Sequence, residues 1–482
     1  MRPQNLLFIF SDEHAREITG CYGNKLIRTP HLDALAARGT RFDNAYTNCP
    51  ICVPARASLA TGRYVHDIRM WDNGFPYYGE PSSWGHRLMQ DNHQVSAIGK
   101  LHYRSSADST GWNSEIDTLH VVDGIGDVVG CVRDDMHERA TAKNLAKDAG
   151  RGDSTYIRYD TSTAEQALRW LREEAPKHQD RPWVLFVGFV LPHFPLIAPP
   201  TFFDLYPEVP PPRLYDLASR PDHPVIQELA RVQAYDKYFD ANTVQVARTA
   251  YYGMVSYLDH CVGQLLGALQ QSGLEQDTRV LYTTDHGDNI GHRGLWGKSN
   301  MYEESAAIPM ILAGADVPAG ASVTTPVSLV DCYQSILHGA GIALTDEEQH
   351  GMPGHSLLEI ANGATPQRTV LSEYHAVGAC TGIFMIRHGP WKYVHYVDYP
   401  PQLFQLDEDP QEITDRAADP ACASVLAECE AQLRQVVNPE TANANAFADQ
   451  RDLVEQHGGR ETVLAQGDFG YTPAPGEKPQ FD

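Results

Sequence analysis

Short apolar runs alternate along this chain with stretches of helical periodicity. The runs are mostly apolar throughout, which is typical of strands that are covered on both faces. Their alternation with helices predicts an α/β fold with a large, mainly parallel sheet and helices on both of its faces. Ligands of such sheets bind beyond the carboxyl ends of the strands. The predicted strands are Asn5–Phe10, Gln94–Gly99, Trp183–Val190, Arg279–Thr284 and Pro309–Ala313.

Helix boundaries can be placed from local signals. Thr29-Pro30 predicts the start of one helix, because proline suits the first turn and threonine the cap. Ser162 and Glu165 have the spacing of a capping box, which predicts that another helix begins there. An apolar stripe over residues 250–269 indicates a third, longer helix.

The character of the sequence changes near residue 365. Two strand-like segments, with a turn at His388-Gly389-Pro390 in the second, predict a small C-terminal α+β subdomain with an antiparallel sheet. The final residues are polar and rich in Pro and Gly, which predicts an extended arm that either frays or lies on a neighbouring subunit. We therefore expect a catalytic domain over 1–365, a subdomain over 366–437, an arm over 438–482 and a homo-oligomer, either a dimer or a tetramer.

The charge balance limits the class of partner. The chain has 38 Lys and Arg against 62 Asp and Glu, a net charge of −24. A nucleic-acid binder usually has the opposite balance, so no nucleic-acid partner is expected. No stretch of about 18 apolar residues is present, so no membrane partner is expected. The N-terminal apolar run is too short for a signal peptide, which predicts a cytoplasmic protein.

Acidic clusters follow two of the predicted strands. Ser11-Asp12-Glu13-His14 comes after the first strand, and Asp285-His286-Gly287-Asp288 after the fourth. Carboxylates at strand ends can hold a hard cation, and an imidazole shifts the preference towards a transition metal such as manganese. A helix cap or turn carboxylate is the alternative for the first cluster, and an ordinary polar loop for the second.

A third cluster contains Cys52 and Arg56. Pro54 fits the first turn of a helix that ends at Gly62, which places Cys52 at the positive end of the helix dipole, where anions bind. Arg56 follows one turn later and offers planar donors to a tetrahedral oxyanion. A buried structural cysteine is the alternative. Cys49 and Cys52 alone are a weak metal or redox signal, because no second C-x-x-C is present.

Scattered basic residues form the last set of candidates. Each one alone is most simply a surface residue. Together with Arg56 they could concentrate positive charge at one rim of the sheet, as a small anionic substrate of an acidic protein requires. They are Lys100, His102, His193 and Lys298.

These clusters resemble the motifs of sulfatases, a family of the alkaline phosphatase superfamily. The pattern is closest to choline sulfatases and phosphonate monoester hydrolases. Segment 403–410 also resembles the family's C-terminal subdomain. The matching motifs are Cys52-Val53-Pro54-Ala55-Arg56, Gly99-Lys100-Leu101-His102, Pro192-His193-Phe194-Pro195, Asp285-His286-Gly287-Asp288, and Gly297-Lys298 with Tyr302-Glu303-Glu304.

The resemblance implies an alkaline-phosphatase-like fold and a sulfuric ester hydrolase that acts on a small organic sulfate ester. It implies that a formylglycine-generating enzyme binds transiently and converts Cys52 to formylglycine. Asp12, residue 52, Asp285 and His286 would hold one divalent ion, Ca²⁺ or Mn²⁺. Whether Glu13, which stands where many sulfatases have a second Asp, is also a ligand stays open.

The resemblance also implies roles around the anion. Arg56 would hold the modified side chain and the anion, while Lys100 and Lys298 would bind sulfate oxygens. His102 would help to break down the covalent intermediate. His193 would bind the substrate or protonate the leaving oxygen. Asn73 matches a polar residue near the nucleophile in choline sulfatases and phosphonate monoester hydrolases.

Two other functions stay open from the sequence. Phosphonate monoesters and phosphate diesters also present a tetrahedral anionic centre, so the same site could hydrolyse them. A non-catalytic anion-binding protein with an unmodified Cys52 is a third hypothesis. The aromatic residues between Trp71 and Trp84 are open to two interpretations, a pocket wall that stacks on the organic group or a packed core.

Overall fold

The computed structural model describes residues 2–479 except 213, 346, 347, 349, 350, 367 and 469. The strands are β1 Asn5–Ser11, β2 Gly39–Phe42, β3 Ala45–Tyr46, β4 Val95–Lys100, β5 Ser114–Leu119, β6 Gly150–Arg151, β7 Val184–Gly188, β8 Ile197–Ala198, β9 Thr278–Thr284, β10 Met310–Ala313, β11 Ala321–Val323, β12 Val327–Ser328, β13 Val370–Tyr374, β14 Ile383–His388, β15 Trp391–Tyr396 and β16 Tyr399–Gln405.

The larger sheet has the strand order β11-β2-β10-β9-β1-β7-β4-β5. All neighbours in it pair in parallel except β10, which is antiparallel to both β9 and β2. The predicted mainly parallel sheet is confirmed. Since β9, β1, β7 and β4 are adjacent and parallel, their carboxyl ends meet at one edge, where the polar clusters follow.

The sheet is buried on both faces. Leu7 and Ile9 of β1 belong to one apolar core, and Leu6, Phe8 and Phe10 belong to a second core on the opposite face. This alternation explains why the strand is apolar at every position. The helices that the structure describes are Pro30–Ala37, Cys52–Thr61, Val65–Ile68, Trp84–Gln90, Thr141–Asp148, Thr155–Glu173, Pro200–Phe203, Pro224–Gln233, Tyr235–Tyr238, Ala241–Gln271, Glu303–Ala306, Asp331–Ala340, Leu357–Ala361, Ala423–Val436, Pro439–Gln456 and Gly459–Ala465.

The C-terminal sheet is antiparallel, in the order β13-β14-β15-β16. Its β14–β15 hairpin turns where His388 pairs with Trp391, as the sequence predicts. Helix Ala423–Val436 packs on this sheet through Cys429 and Leu433, which share an apolar cluster with Phe384. The predicted antiparallel subdomain is therefore present.

The predicted capping box at Ser162 and Glu165 is wrong. Both residues lie inside helix Thr155–Glu173, which begins after Ser154. The side chain of Ser154 accepts a hydrogen bond from the backbone N–H of Ile157, so the true cap is the same type of residue, earlier in the chain.

The segment predicted as an extended arm is largely helical. Asn438 caps helix Pro439–Gln456 by accepting a hydrogen bond from the N–H of Thr441, and a second helix spans Gly459–Ala465. The buried face of the first helix uses small residues such as Ala442 and Ala446, so its periodicity is weak in the sequence. Oligomerisation and the domain limits stay predictions.

No helix in the described ranges combines the length and the apolar character that crossing a bilayer requires.

Candidate active site

The predicted site residues meet at the carboxyl edge of the larger sheet. Asp12 follows β1, Asp285 follows β9, Lys100 ends β4 and His193 follows β7. These four strands are neighbours, so residues that are far apart in sequence become adjacent. Cys52 joins them from the first position of helix Cys52–Thr61.

Four side chains converge on one point. The ligand atoms of Asp12, Cys52, Asp285 and His286 all lie within 4.8 Å of one another, and all four residues are buried. The sulfur of Cys52 is 3.3 Å from Nε2 of His286 and 3.6 Å from Oδ1 of Asp12. Two carboxylates, an imidazole and residue 52 form a donor set that suits one divalent ion.

The orientation of His286 also suits an ion. Its Nδ1–H donates to the carbonyl oxygen of Gly287 at 3.0 Å, so the Nε2 lone pair faces the cluster. The backbone of Gly287 packs closely against that of Glu304, and any side chain at 287 would clash, because a Cβ there would lie 2.0 Å from the carbonyl oxygen of Glu304. The glycine of the Asp285-His286-Gly287-Asp288 motif therefore has a steric reason.

Glu13 lies beside this cluster and has other partners. It forms a second converging group with Asp12 and His193. One oxygen of Glu13 is 2.8 Å from Nζ of Lys298 and 3.4 Å from Nε2 of His193. Glu13 and His102 both have positive φ, 65° and 61°, a conformation that costs of order 1 kcal/mol and concentrates at functional sites.

Arg56 has different partners from those expected. Its Nε lies 2.8 Å from Oδ2 of Asp285, its Nη2 lies 2.8 Å from Oδ2 of Asp12, and its Nη1 donates to the carbonyl oxygen of Lys100. All three nitrogens therefore hold protein acceptors, which uses three of the five N–H donors of the guanidinium. Arg56 aligns the two carboxylates of the cluster.

The pKa values of two groups in this cluster, the Asp12 carboxyl and the Cys52 thiol, shift in opposite directions. Burial alone would raise the pKa of Asp12, but the positive charge of Lys100, at 2.6 Å, and of its other neighbours holds that pKa well below its usual range. Burial and the Asp12 carboxylate raise the pKa of the Cys52 thiol to about 12. These neighbours therefore disfavour the thiolate form of an unmodified Cys52.

Helix Cys52–Thr61 is fixed at both ends. The side-chain oxygen of Asn73 accepts a hydrogen bond from the N–H of Val53 at 3.1 Å, and Gly62 ends the helix with φ of 66°. Asn73 is therefore placed beside residue 52, as the sequence predicts, and it satisfies one of the free N–H groups at this end.

A cavity of about 100 Å³ opens above Cys52. Basic and polar residues of the predicted site line it, and so do aromatic residues. Behind this lining lie four residues that contact it or one another: Asp12, Arg56, Asp285 and His286. The lining residues that the argument uses are Cys52, Asn73, Lys100, His102, His193 and Lys298, with Tyr156, Phe194, Tyr235, Trp296 and Tyr471.

The aromatic residues that line the cavity lie outside the segment between Trp71 and Trp84. Trp71, Tyr77 and Trp84 are buried in apolar cores and do not line the cavity, so the packed-core interpretation holds for them. Residues that were not predicted include Tyr471 and Thr472, from the polar C-terminal segment. The sequence carries no signal for them, because only the folded chain brings that segment to the cavity.

Known proteins resemble this chain along most of its length. A family model described as Sulfatase matches residues 4–342. The chain belongs to the sulfatase family. A second model, the C-terminal region of N-sulphoglucosamine sulphohydrolase, matches residues 291–439, which include the C-terminal sheet of this sulfatase. The resemblance drawn from the motifs is confirmed.

Curated relatives cover most of the chain. Choline-sulfatase of Rhizobium meliloti (strain 1021) is 32% identical over 425 residues, which cover 86% of this chain and 83% of the relative. Arylsulfatase K of Rattus norvegicus is 30% identical over 469 residues, which cover 92% of this chain and 79% of the relative. These relatives support assignment of this sulfatase as a hydrolase.

Solved structures share the fold at lower identity. Phosphonate monoester hydrolase from Silicibacter pomeroyi has a TM-score of 0.72 and 20% identity, with 99% of both chains covered. BT4656, in complex with its substrate D-glucosamine-2-N,6-O-disulfate, has a TM-score of 0.71 and 20% identity, covering 93% of this chain and 99% of the other. The predicted fold class is confirmed.

Proposed function

We propose that this sulfatase hydrolyses a small organic sulfate ester, with a formylglycine made from Cys52 as nucleophile and one divalent ion. The observation that carries the proposal is the convergence of Cys52 with Asp12, Asp285 and His286 beneath a cavity. The basic walls of the cavity suit a tetrahedral anion above residue 52.

Asp12, Asp285 and His286, with residue 52, would hold the ion. The imidazole in this set favours manganese over calcium. A bound divalent ion would lower the pKa of the attacking hydroxyl and polarise the ester. A hydrated formylglycine would offer one hydroxyl to attack sulfur and a second whose deprotonation releases sulfate. Conversion of Cys52 would need a formylglycine-generating enzyme as a transient partner.

Lys100 and Lys298 line the cavity together with Cys52. Each is paired with one carboxylate, Lys100 with Asp12 and Lys298 with Glu13. Each ammonium has three donors, so both can also bind sulfate oxygens. Charge builds up on these oxygens and on the leaving oxygen as the ester bond breaks, and fixed donors stabilise it.

Burial lowers the pKa of both cavity histidines, which favours their neutral forms. Burial and Lys298 lower the pKa of His193 well below its usual value, and its Nδ1–H donates to the carbonyl oxygen of Phe194 at 2.7 Å. In this form its Nε2 has no proton to give to the leaving oxygen and could bind the substrate only by accepting a hydrogen bond from its organic part. His102 would act as the base that assists breakdown of the covalent intermediate.

The size and lining of the cavity support a small substrate. About 100 Å³ of space above residue 52 leaves room for a sulfate group and a compact organic group. Tyr156, Phe194 and Trp296 offer aromatic surface to that group. The net charge of −24 disfavours long polyanions, because they would be repelled by most of the surface.

Parallel turnover of p-nitrophenyl sulfate and p-nitrophenyl phenylphosphonate tests this proposal. The protein is produced together with a formylglycine-generating enzyme and compared with Cys52→Ala. The proposal expects the sulfate ester to have the higher kcat/KM and the variant to lose that activity. A higher kcat/KM for the phosphonate ester would support the alternative reaction at the same site. No turnover of either ester by a protein with formylglycine at residue 52 would contradict the proposal. A Cys52 that stays unmodified in the presence of the formylglycine-generating enzyme, together with no turnover, would support the non-catalytic hypothesis.

A further inference from the structure

The C-terminal residues 470–474 lie against the catalytic domain of their own chain. Tyr471 and Thr472 line the cavity, and Oγ1 of Thr472 lies 2.8 Å from Nε2 of His102. We propose that Thr472 is a positioning residue that keeps the proton of His102 on Nε2 and leaves the Nδ1 lone pair available to the reacting groups. This inference rests on the proposed function.

Thr472 is held in place by buried contacts. The hydroxyl of Tyr156 donates to the carbonyl oxygen of Thr472 at 2.6 Å, and the ring of Tyr156 meets that of Tyr471 edge to face at 5.0 Å. On the N-terminal side of the segment, Asp468 lies 2.7 Å from Nε of Arg139. The hydroxyl of Thr472 is therefore a fixed partner for the imidazole.

The surroundings of His102 decide the direction of this hydrogen bond. Its Nδ1 is buried and has no hydrogen-bond partner within the described residues. Burial, Lys100 and Arg56 lower the pKa of His102 well below its usual value, so the ring carries one proton. A proton on Nδ1 would be a buried donor without an acceptor beside two cations. The proton therefore belongs on Nε2, and this N–H donates to Oγ1 of Thr472.

The same geometry predicts which kinetic constant depends on Thr472. Without the hydroxyl, the ring of His102 loses the partner that fixes its tautomer, and the step that uses Nδ1 as a base slows down. In the proposed function Lys100 and Lys298 bind the sulfate group, and Thr472 makes no hydrogen bond to either lysine within the described residues. We therefore expect kcat and KM to fall together, while kcat/KM, which reports the steps up to formation of the covalent intermediate, stays nearly constant.

A set of isosteric variants tests the proposal with p-nitrophenyl sulfate. Thr472→Val removes the hydroxyl and keeps the shape, Thr472→Ser restores the hydroxyl, and Thr462→Val changes an exposed threonine on the nearby helix Gly459–Ala465. We expect kcat to fall about 10–100-fold in Thr472→Val only, the scale typical of partners that orient a reactive side chain. Comparable losses in Thr472→Val and Thr472→Ser would indicate a packing effect and overturn the proposal.

A spectroscopic readout separates this inference from the proposed function. In protein labelled with ¹⁵N-histidine, His102 is assigned by comparison with His102→Gln, and its two ring nitrogens report the tautomer. The proposal expects the Nε2–H form in the wild type and loss of that preference in Thr472→Val. A wild type that turns over no sulfate ester would overturn the proposed function alone. A wild-type His102 with its proton on Nδ1, or an unchanged kcat in Thr472→Val of an active enzyme, would overturn this inference.

Discussion

Two clusters of buried and half-buried charges differ in whether all their charges are paired within the protein. The catalytic cluster, Asp12, Asp285, Arg56 and Lys100 with Cys52 and His286, leaves ligand atoms directed at one shared point below a cavity. The joint cluster, Arg16, Glu303, Lys392 and Glu412, connects the catalytic domain to the C-terminal sheet. None of its four members lines the cavity.

Charges in the joint cluster are paired with one another. Nζ of Lys392, on β15, lies 2.9 Å from Glu303 and 2.7 Å from Glu412, and Arg16 lies 2.8 Å from the other oxygen of Glu303. Burial opposes ionisation of Glu303, yet Lys392 and Arg16 lower its pKa to about 2. A shifted pKa therefore occurs in both clusters. Convergence of ligand atoms beneath a cavity is what distinguishes the site.

Replacing the proposed nucleophile should have the largest effect. We expect Cys52→Ala to lower kcat by at least about 10⁴-fold, because loss of a covalent nucleophile removes the chemical step itself. Cys49→Ala, at a buried cysteine of the same C-x-x-C, is the matched control and should keep activity. Steady-state kinetics on p-nitrophenyl sulfate measures both. Equal activity of Cys52→Ala and the wild type would remove residue 52 from the mechanism.

Breaking the joint cluster should cost stability instead. Lys392→Met leaves Glu303 and Glu412 facing each other in a buried environment, and we expect the free energy of unfolding to fall by about 3–5 kcal/mol. Urea titration measures this change, with Lys25→Met at an exposed position as control. The folded variant should keep the kcat of the wild type. A large loss of kcat without a loss of stability would mean that the two clusters are not separate.

The same substitution in the catalytic cluster should show the opposite profile. Lys100→Met removes a donor beside the anion, and we expect kcat to fall about 10²–10³-fold. Its stability should fall less than that of Lys392→Met, because Arg56 still pairs with Asp12 at 2.8 Å. Measuring kcat and unfolding for both variants gives a direct contrast. Equal kcat for Lys100→Met and the wild type would contradict the proposed anion site.

A smaller effect on stability, dependent on pH, is expected from the pair of His66 and Glu373 of the C-terminal sheet. Burial alone would lower the pKa of His66, but the Glu373 carboxylate at 2.8 Å raises it to about 9. The native state then binds the proton more tightly than the unfolded state, whose histidine titrates near 6.5. The stabilisation is therefore complete below pH about 6.5 and is lost as the pH rises through about 9.

His66→Gln isolates this contribution. We expect its free energy of unfolding to be lower than that of the wild type by about 2 kcal/mol at pH 6, with the difference fading by pH 10. Urea titrations of both proteins across this range measure it. A difference that stays constant with pH would show that the pair does not titrate in this window.

Much of the site follows from sequence because the sheet is parallel. Asp12, Lys100, His193 and Asp285 each come at or just after the end of an apolar run, and parallel neighbours bring those ends together. The partners of Arg56 could not be read in the same way. The position of Arg56 one turn after Cys52 predicts that its side chain can reach residue 52. Its pairing with Asp12 and Asp285 depends on the packed geometry.

The C-terminal segment shows where sequence reasoning stops. Polar composition suggested an arm, although Asn438-Pro439 is a cap signal that indicates a helix. Contact between Thr472 and His102 joins residues 370 positions apart in the chain. No local pattern encodes such a contact, because it arises only when the final segment folds back over the cavity.

Metal content tests the central claim most directly. The wild-type protein, purified after growth with Mn²⁺ and Ca²⁺ and dialysed, is analysed by elemental mass spectrometry beside His286→Ala and the joint-cluster variant Lys392→Met. We predict one divalent ion per chain in the wild type and in folded Lys392→Met, and none retained by folded His286→Ala. An active wild type without a divalent ion, or one ion per chain still bound by a variant that lacks Asp12, Asp285 and His286 together, would contradict the account.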